Sequence, residues 1–179
     1  ISDLIPQYSG GLGILAGDHL KASDDLDLSL CGVGLFYRQG FFDQELVAGR
    51  QVERYETFEP IGLGCTDTGV EVSIPLDGRE VLAHAWRLDM GRVPLLLLDT
   101  DVAENDKADR AITDRLYSGD RRHRLEQELV LGVGGARTLA ALGWSAPLRH
   151  LNEGHAGFMI LDLLDGHIRA GQTLDQALE

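Results

Sequence analysis

The most informative segment of this chain is Tyr8-Ser9-Gly10-Gly11-Leu12-Gly13-Ile14-Leu15-Ala16-Gly17-Asp18. Its apolar residues recur at helical spacing, since three of them follow Leu12 at offsets of three, four and eight residues. They are Leu15, Ala16 and Leu20. This spacing is that of one helix face, and Ser9 is of the type that caps a helix N-terminus. We therefore predict a helix from about Gly11 to Leu26 that begins directly after a glycine-rich loop.

The glycines of this loop suggest a binding role. Gly10 and Gly11 would lie in the first helical turn, where backbone N–H groups have no partner within the helix. Such a helix end attracts anions, and residues without a Cβ let a phosphate or a sugar come close to the backbone. Gly10, Gly11 and Leu12 are therefore candidate substrate- or phosphate-binding residues, with a simple turn into a packed helix as the alternative.

Strand and helix patterns alternate along the rest of the chain. Strands are predicted at 30–37, 70–74, 81–88, 93–98 and 148–151, with a hairpin turn at Asp77-Gly78. Further helices are predicted at 106–116, at 123–142 with Gly143 after it, from 152 to before 171, and after the capping box Thr173-Leu174-Asp175-Gln176. The order is that of an α/β layer with an inserted antiparallel β patch.

Composition restricts the class of protein. The chain has 179 residues, 44% of them hydrophobic, and a net charge of −13, which suits one folded domain and argues against nucleic acid as a partner. No apolar run is long enough for a membrane span, and no signal peptide opens the chain. We expect a cytoplasmic protein. Cys31 and Cys65 have no metal-ligand spacing, and neither do the histidines, so no metal site is predicted.

Four motifs resemble those of bacterial α-glucan (glycogen/maltodextrin) phosphorylases, in family order. They are Leu4 to Lys21 around the glycine loop, Gly32-Val33-Gly34-Leu35-Phe36-Tyr37-Arg38-Gln39-Gly40-Phe41-Phe42, the pair Leu116-Tyr117-Ser118-Gly119-Asp120 and Arg124-Leu125-Glu126-Gln127-Glu128, and His150-Leu151-Asn152-Glu153-Gly154-His155-Ala156. The resemblance covers essentially the whole chain.

The resemblance implies an enzyme for reversible phosphorolysis of α-1,4-glucosidic bonds that releases glucose 1-phosphate. It implies that residues 1–179 are a fragment of the N-terminal Rossmann-like lobe of a two-lobe (GT-B type) glycosyltransferase, inactive alone. Its partners would be an α-glucan and inorganic phosphate or glucose 1-phosphate. The complete enzyme would be a homodimer and could be regulated allosterically. The cofactor would be pyridoxal 5′-phosphate on a lysine of the missing lobe, since neither Lys21 nor Lys107 resembles it.

Site residues follow from the motifs and their positions. His155 is expected just inside a helix that follows a strand, where open α/β sheets bind ligands, and Asp120 lies in the loop that resembles the family's active-site loop. Both are candidate sugar-binding residues. Tyr37, Arg38 and Arg124 are candidates for the wall of the site. No residue is expected to act directly as an acid or base.

Two other functions remain open from the sequence. A sugar-nucleotide glycosyltransferase of the glycogen synthase type also carries a glycine loop after a strand. A non-catalytic glucan-binding or dimerisation piece is the second alternative. The motifs Arg38-Gln39-Gly40-Phe41-Phe42 and Asn152-Glu153-Gly154-His155 fit phosphorylases better than the glycogen synthase type. The non-catalytic alternative depends on whether the natural gene continues past Glu179.

Overall fold

A mixed four-stranded sheet forms the centre of the computed structural model, which describes residues 10–117 and 119–178. The strand order is β1-β6-β5-β4, and β2 and β3 form a separate two-stranded antiparallel sheet. The strands are β1 Gly32–Leu35, β2 Asp43–Val47, β3 Arg50–Arg54, β4 Thr66–Leu76, β5 Arg79–Met90 and β6 Val93–Asp99. The α/β class with an antiparallel part is confirmed.

The central strands form where the sequence predicts them. All seven residues of β6 are buried, because this apolar run has sheet neighbours on both sides and is covered on both faces. β1 pairs with β6 in parallel, with Gly32 opposite Leu95, whereas β5 pairs antiparallel with both β4 and β6. Asp77 and Gly78 have φ values of 51° and 76°, as a tight hairpin turn requires.

Helices cover the sheet. They are α1 Gly11–Asp25, α2 Lys107–Arg110, α3 Arg121–Leu129, α4 Gly135–Ala141, α5 Phe158–Arg169 and α6 Leu174–Leu178. The predicted first helix and the capping box are confirmed, since the Thr173 N–H donates to Gln176 Oε1 at 2.9 Å and the Gln176 N–H donates to Thr173 Oγ1 at 3.3 Å.

The predicted long helix at 123–142 contains an interruption. A π-helical segment, Val130–Gly134, joins α3 to α4, and Gly143 follows with φ of 71°. A π turn adds a residue to the helical register, so a face defined by 3.6-residue spacing cannot stay continuous across it. Leu125, which precedes the segment, is 45% exposed, whereas Val133 and Ala136 are each 7% exposed.

Four local predictions are wrong. The helix expected at 106–116 is only the single turn of α2, and the strand expected at 148–151 is irregular. The helix expected from Asn152 begins at Phe158, after a turn. Leu15 was expected on the buried face of α1 but is 60% exposed. The hairpin of β2 and β3 was not predicted at all, because its residues are exposed and mostly polar.

Two apolar clusters hold the layers together. One contains Ile74, Leu98 and Val130, and the other contains Leu20, Phe36 and Leu95. Neighbouring residues of β6 contribute to opposite clusters, as the alternation of side chains along a strand dictates. Cys65 is buried and Cys31 is partly buried. No helix of the described residues has the length and apolar character needed to cross a membrane.

Candidate functional site

A cavity of about 710 Å³ opens beside β1. Its walls come from one side of α1 and of α3, from β1 and β6, and from the turn that precedes α5. The floor is apolar, with Ala16, Val33 and Leu97, while the polar side chains belong to α3 and the turn. An apolar pocket with a few polar groups is the usual form of a small-molecule site.

Five of the eight predicted site residues line this cavity. They are Leu12, Tyr37, Asp120, Arg124 and His155. They come from four separate stretches of the chain, so the fold brings together what the sequence separates by up to 143 positions. Gly10, Gly11 and Arg38 are not among the lining residues.

The N-cap of α1 is one residue later than predicted, although the helix begins at Gly11 as expected. Helix α1 begins at Gly11, and Gly10 is its N-cap, with φ of 83° and ψ of −171°. Ser9, the expected N-cap, lies outside the described residues. The Gly10 conformation is essentially restricted to glycine, and this residue has no side chain with which to cap the helix. Among the residues that the structure describes, none lies within 4 Å of a Cβ added to Gly11.

Asp120 caps helix α3. Its carboxylate accepts hydrogen bonds from the N–H groups of Arg122 at 2.9 Å and His123 at 3.0 Å. The backbone N–H of His123 is the main reason that the pKa of Asp120 lies below its ordinary value. The residue is exposed at the cavity rim and is ionised at neutral pH, so it can accept hydrogen bonds from hydroxyl groups.

Tyr37 and Arg38 follow the carboxyl end of β1 but have different surroundings. Tyr37 lines the cavity, and burial raises the pKa of its hydroxyl to about 12. Arg38 pairs with buried Asp99 at 2.9 Å and with Glu59 at 2.9 Å. The Asp99 carboxylate also accepts a hydrogen bond from Trp86 Nε1 at 3.2 Å. Arg38 therefore stabilises the chain behind the wall of the cavity.

His155 lies in the turn before α5 and contacts two carboxylates. Its Nδ1 is 2.9 Å from Glu128 Oε1, and its Nε2 is 3.4 Å from Glu153 Oε2. Glu153 has φ of 57°, which few non-glycine residues adopt. Glu128 also lines the cavity, as does Asn152. Sequence reasoning did not single out Glu128, although its position four residues after Arg124 indicates a pair on one helix face.

The arginines of α3 divide between two sides of the helix. Arg121 and Arg124 line the cavity, and Arg124 Nε is 3.5 Å from Glu128 Oε1. Arg122 instead pairs with Asp77 at 2.6 Å and with Glu126 at 3.3 Å. Two guanidinium groups thus line the cavity together with the carboxylates of Asp120 and Glu128.

The described residues supply neither a metal cluster nor a suitable cofactor lysine. No group of three or more His, Cys, Asp or Glu side chains is arranged to hold a metal ion within residues 10–117 and 119–178. The only two lysines of the sequence, Lys21 and Lys107, are exposed and do not line the cavity. A Schiff-base lysine is usually shielded from water, so neither lysine fits a covalent cofactor.

Comparison with known proteins gives relatives over nearly the whole chain, although no family model matches it. Glycogen phosphorylase of Mycobacterium tuberculosis (strain CDC 1551) is 46% identical over 192 residues, which cover 99% of this chain and 22% of the relative. Maltodextrin phosphorylase of Thermococcus litoralis is 40% identical, covering 99% of this chain and 22% of the relative. Glycogen phosphorylase of Aquifex aeolicus is 36% identical, covering 96% of this chain and 26% of the relative. The chain therefore spans about a quarter or less of the length of these relatives.

Proposed function

On the premise that this chain is homologous to one segment of the glycogen and maltodextrin phosphorylases, we propose that it is part of an α-glucan phosphorylase. The observation that carries the proposal is the convergence of Leu12, Asp120 and His155 on one cavity. These residues come from three of the motifs that resemble phosphorylases. Independent motifs that meet at one pocket support a shared role in binding.

The site lies where a doubly wound α/β fold binds its ligands. Tyr37 is the second residue after the carboxyl end of β1, and the parallel strand β6 ends at the same edge of the sheet. Ligands of open α/β sheets bind outside the carboxyl ends of the strands. We assign residues 1–179 to the N-terminal Rossmann-like lobe of a two-lobe GT-B glycosyltransferase. A second lobe, elsewhere in the complete protein that contains this chain, would close the cavity.

The polar residues of the cavity suit a glucan. Asp120 accepts hydrogen bonds from sugar hydroxyl groups, and the amide of Asn152 can both donate and accept them. Tyr37 offers a hydroxyl that stays protonated at neutral pH, because its pKa is about 12. The apolar floor can pack against the C–H faces of a sugar ring. One ring nitrogen of His155 can form a further hydrogen bond to a sugar hydroxyl group.

Phosphate would bind near the start of α1 and the arginines of α3. The first N–H groups of α1 have no partner within the helix, and the positive end of its dipole favours an anion. Arg121 and Arg124 add positive charge to the same cavity. In the reaction a phosphate oxygen forms a bond to C1 of the terminal glucose. The C1–O4 bond breaks, O4 takes up a proton, and glucose 1-phosphate leaves the shortened glucan.

Pyridoxal 5′-phosphate belongs to the proposal only for the complete protein. Because both lysines of this chain are exposed and outside the cavity, we assign the cofactor to another part of the complete protein. The role of this chain is to bind and orient the glucan and to supply electrostatic stabilisation that is fixed in advance. We further propose a cytoplasmic homodimer whose partners are neither nucleic acids nor membranes.

The function is tested by offering the complete protein two alternative reactions. Maltoheptaose with inorganic phosphate should yield glucose 1-phosphate, measured by a coupled dehydrogenase assay. Transfer of glucose from a nucleotide sugar to maltoheptaose should not occur above background. Nucleotide-sugar transfer without phosphorolysis would instead identify a synthase-type enzyme, and glucan binding without either reaction would identify a non-catalytic module.

A further inference from the structure

Glu128 occupies a position that the proposed function does not yet explain. It lies in the last turn of α3, lines the cavity, and has a side chain that is 26% exposed. Its Oε1 atom is 2.9 Å from His155 Nδ1, while the His155 side chain is 31% exposed. This short contact between partly buried groups joins α3 to the turn before α5.

The contact determines which nitrogen of His155 carries a proton. Arg124 Nη2, which can only donate, lies 3.5 Å from the same Nδ1, but the contact with Glu128 is shorter, at 2.9 Å. Because a carboxylate can only accept hydrogen bonds, Nδ1 of His155 donates to Glu128. A neutral imidazole has one N–H group, which leaves Nε2 as the nitrogen available to another partner. The Glu153 carboxylate stands 3.4 Å from Nε2 but is 66% exposed, so water screens it more strongly than Glu128. Glu128 is therefore the stronger constraint on the ring.

Close packing fixes the distance between the two helices that carry this pair. A Cβ at Gly132, in the π-helical segment one turn after Glu128, would lie 2.8 Å from Met159 N and 2.9 Å from Phe158 Cβ. Only glycine lets the start of α5 come so near. Arg124 lies beside both members of the pair, with Nε 3.5 Å from Glu128 Oε1 and Nη2 3.5 Å from His155 Nδ1. Glu128, His155 and Arg124 thus form one cluster at the cavity wall.

We propose that Glu128 is a positioning residue that orients His155 for glucan binding. It acts through the imidazole and not on the sugar, since it holds Nδ1 and leaves Nε2 for a glucan hydroxyl. This inference rests on the proposed function for its kinetic consequence. Its structural part, the control of the His155 tautomer by Glu128, stands independently of the substrate.

Two variants of Glu128 and a matched control test the proposal. Glu128→Gln keeps an acceptor oxygen of the same reach, whereas Glu128→Met has similar length and helix propensity but no strong acceptor. Glu126→Met removes a carboxylate from the same helix, but Glu126 pairs with Arg79 and Arg122 and does not line the cavity. Melting temperature, followed by circular dichroism, reports the stability of each variant.

The tautomer of His155 is the first measurement, made on this chain with ¹⁵N-labelled histidine by multiple-bond ¹H–¹⁵N correlation. We expect an Nδ1–H tautomer in the wild type, in Glu128→Gln and in Glu126→Met, and its loss in Glu128→Met. An Nδ1–H tautomer that persists in Glu128→Met would contradict the proposal. So would a wild-type ring that carries its proton on Nε2 alone.

The kinetics of the complete protein are the second measurement. We expect Glu128→Met to lower kcat/KM for maltoheptaose by about tenfold, while Glu128→Gln stays within about threefold of the wild type. Glu126→Met should change the melting temperature and not the tautomer. Normal kcat/KM in a folded Glu128→Met variant would overturn the positioning role. A wild-type protein that performs no phosphorolysis would refute the proposed function instead, and the tautomer result would still decide the structural part.

Discussion

His155 is the residue whose replacement separates a binding role from a structural one. We expect His155→Ala in the complete protein to lower kcat/KM by roughly tenfold to a hundredfold, about 1.4–2.8 kcal/mol, as for one lost hydrogen bond in a closed site. The measurements are initial rates of glucose 1-phosphate release, cofactor absorbance and melting temperature. Cofactor content should not change, because we place the cofactor outside this chain.

A matched histidine provides the control for this variant. His167, in the last turn of α5, is exposed and does not line the cavity, so His167→Ala should leave kcat/KM unchanged. If His155→Ala kept its normal kcat/KM and only lost thermal stability, His155 would be a bridge to Glu128 with no part in glucan binding.

Asp120 combines a capping role with a candidate binding role, and two variants separate them. Asparagine still caps a helix, so Asp120→Asn should retain the melting temperature, whereas Asp120→Ala should lower it. Both should lower kcat/KM by about tenfold if the carboxylate binds a sugar hydroxyl. An Asp120→Asn variant with normal kinetics would restrict Asp120 to the cap.

The Asp120 cap also has a defined pH dependence. The pKa of the carboxyl group is lowered in the folded chain, mainly by the His123 N–H. Its contribution to stability is therefore fully present above the ordinary pKa of an aspartate and is lost as pH falls through the lowered value. The difference in melting temperature between Asp120→Ala and the wild type should shrink in that acid range.

Among the secondary-structure elements, the start of α1 allows a test of whether the glycine loop binds the substrate. Gly11 has no positive φ, and none of the described residues lies within 4 Å of its Cβ position, so Gly11→Val should fold normally. A β-branched side chain would still obstruct a ligand that approaches the first N–H groups. We expect kcat/KM to fall at least about tenfold with little change in melting temperature.

Gly10→Ala is the useful contrast to that variant. The Gly10 backbone, with φ of 83° and ψ of −171°, would be strained by any Cβ, at a cost of about 1–3 kcal/mol. Gly10→Ala should therefore lose stability, which Gly11→Val should not. A Gly11→Val variant with near-normal phosphorolysis would show that the start of α1 does not meet the substrate.

The sequence predicts those elements whose signals are local. Helix α1, strand β6, the hairpin at Asp77-Gly78 and the capping box at Thr173 all follow from spacing or turn chemistry within a few residues. The π-helical segment does not, because it depends on how closely Gly132 packs against Phe158 and Met159. The same packing produces the Glu128–His155 contact, which explains why Glu128 was missed while His155 was found.

The motifs predict candidate site residues, but they do not predict which of these residues line the cavity. Residues such as Tyr37 and Asp120 were found from motifs, and the fold then placed them on one cavity. Arg38 shows the limit of prediction from motifs. Its neighbour Tyr37 lines the cavity, whereas the Arg38 guanidinium pairs with Asp99. Neighbouring residues after a strand point to opposite sides, and the motif alone does not tell which side binds.

For the whole molecule, the proposed division into lobes predicts an inactive segment. The 179-residue chain supplied with pyridoxal phosphate, maltodextrin and inorganic phosphate should release no glucose 1-phosphate above background. The physical reason is that one wall of the cleft and the cofactor lysine lie elsewhere in the proposed enzyme. Release of glucose 1-phosphate by this chain alone would contradict that division.

The central claim is that the cavity beside β1 is the α-glucan site. The most direct test is a crystal structure of the complete protein with a bound maltooligosaccharide. We predict sugar hydroxyl groups within about 3.2 Å of His155 Nε2 and of the Asp120 carboxylate, with His155 Nδ1 still on Glu128. An ordered glucan bound elsewhere, with this cavity buried in the protein interior or closed to sugar, would contradict the claim.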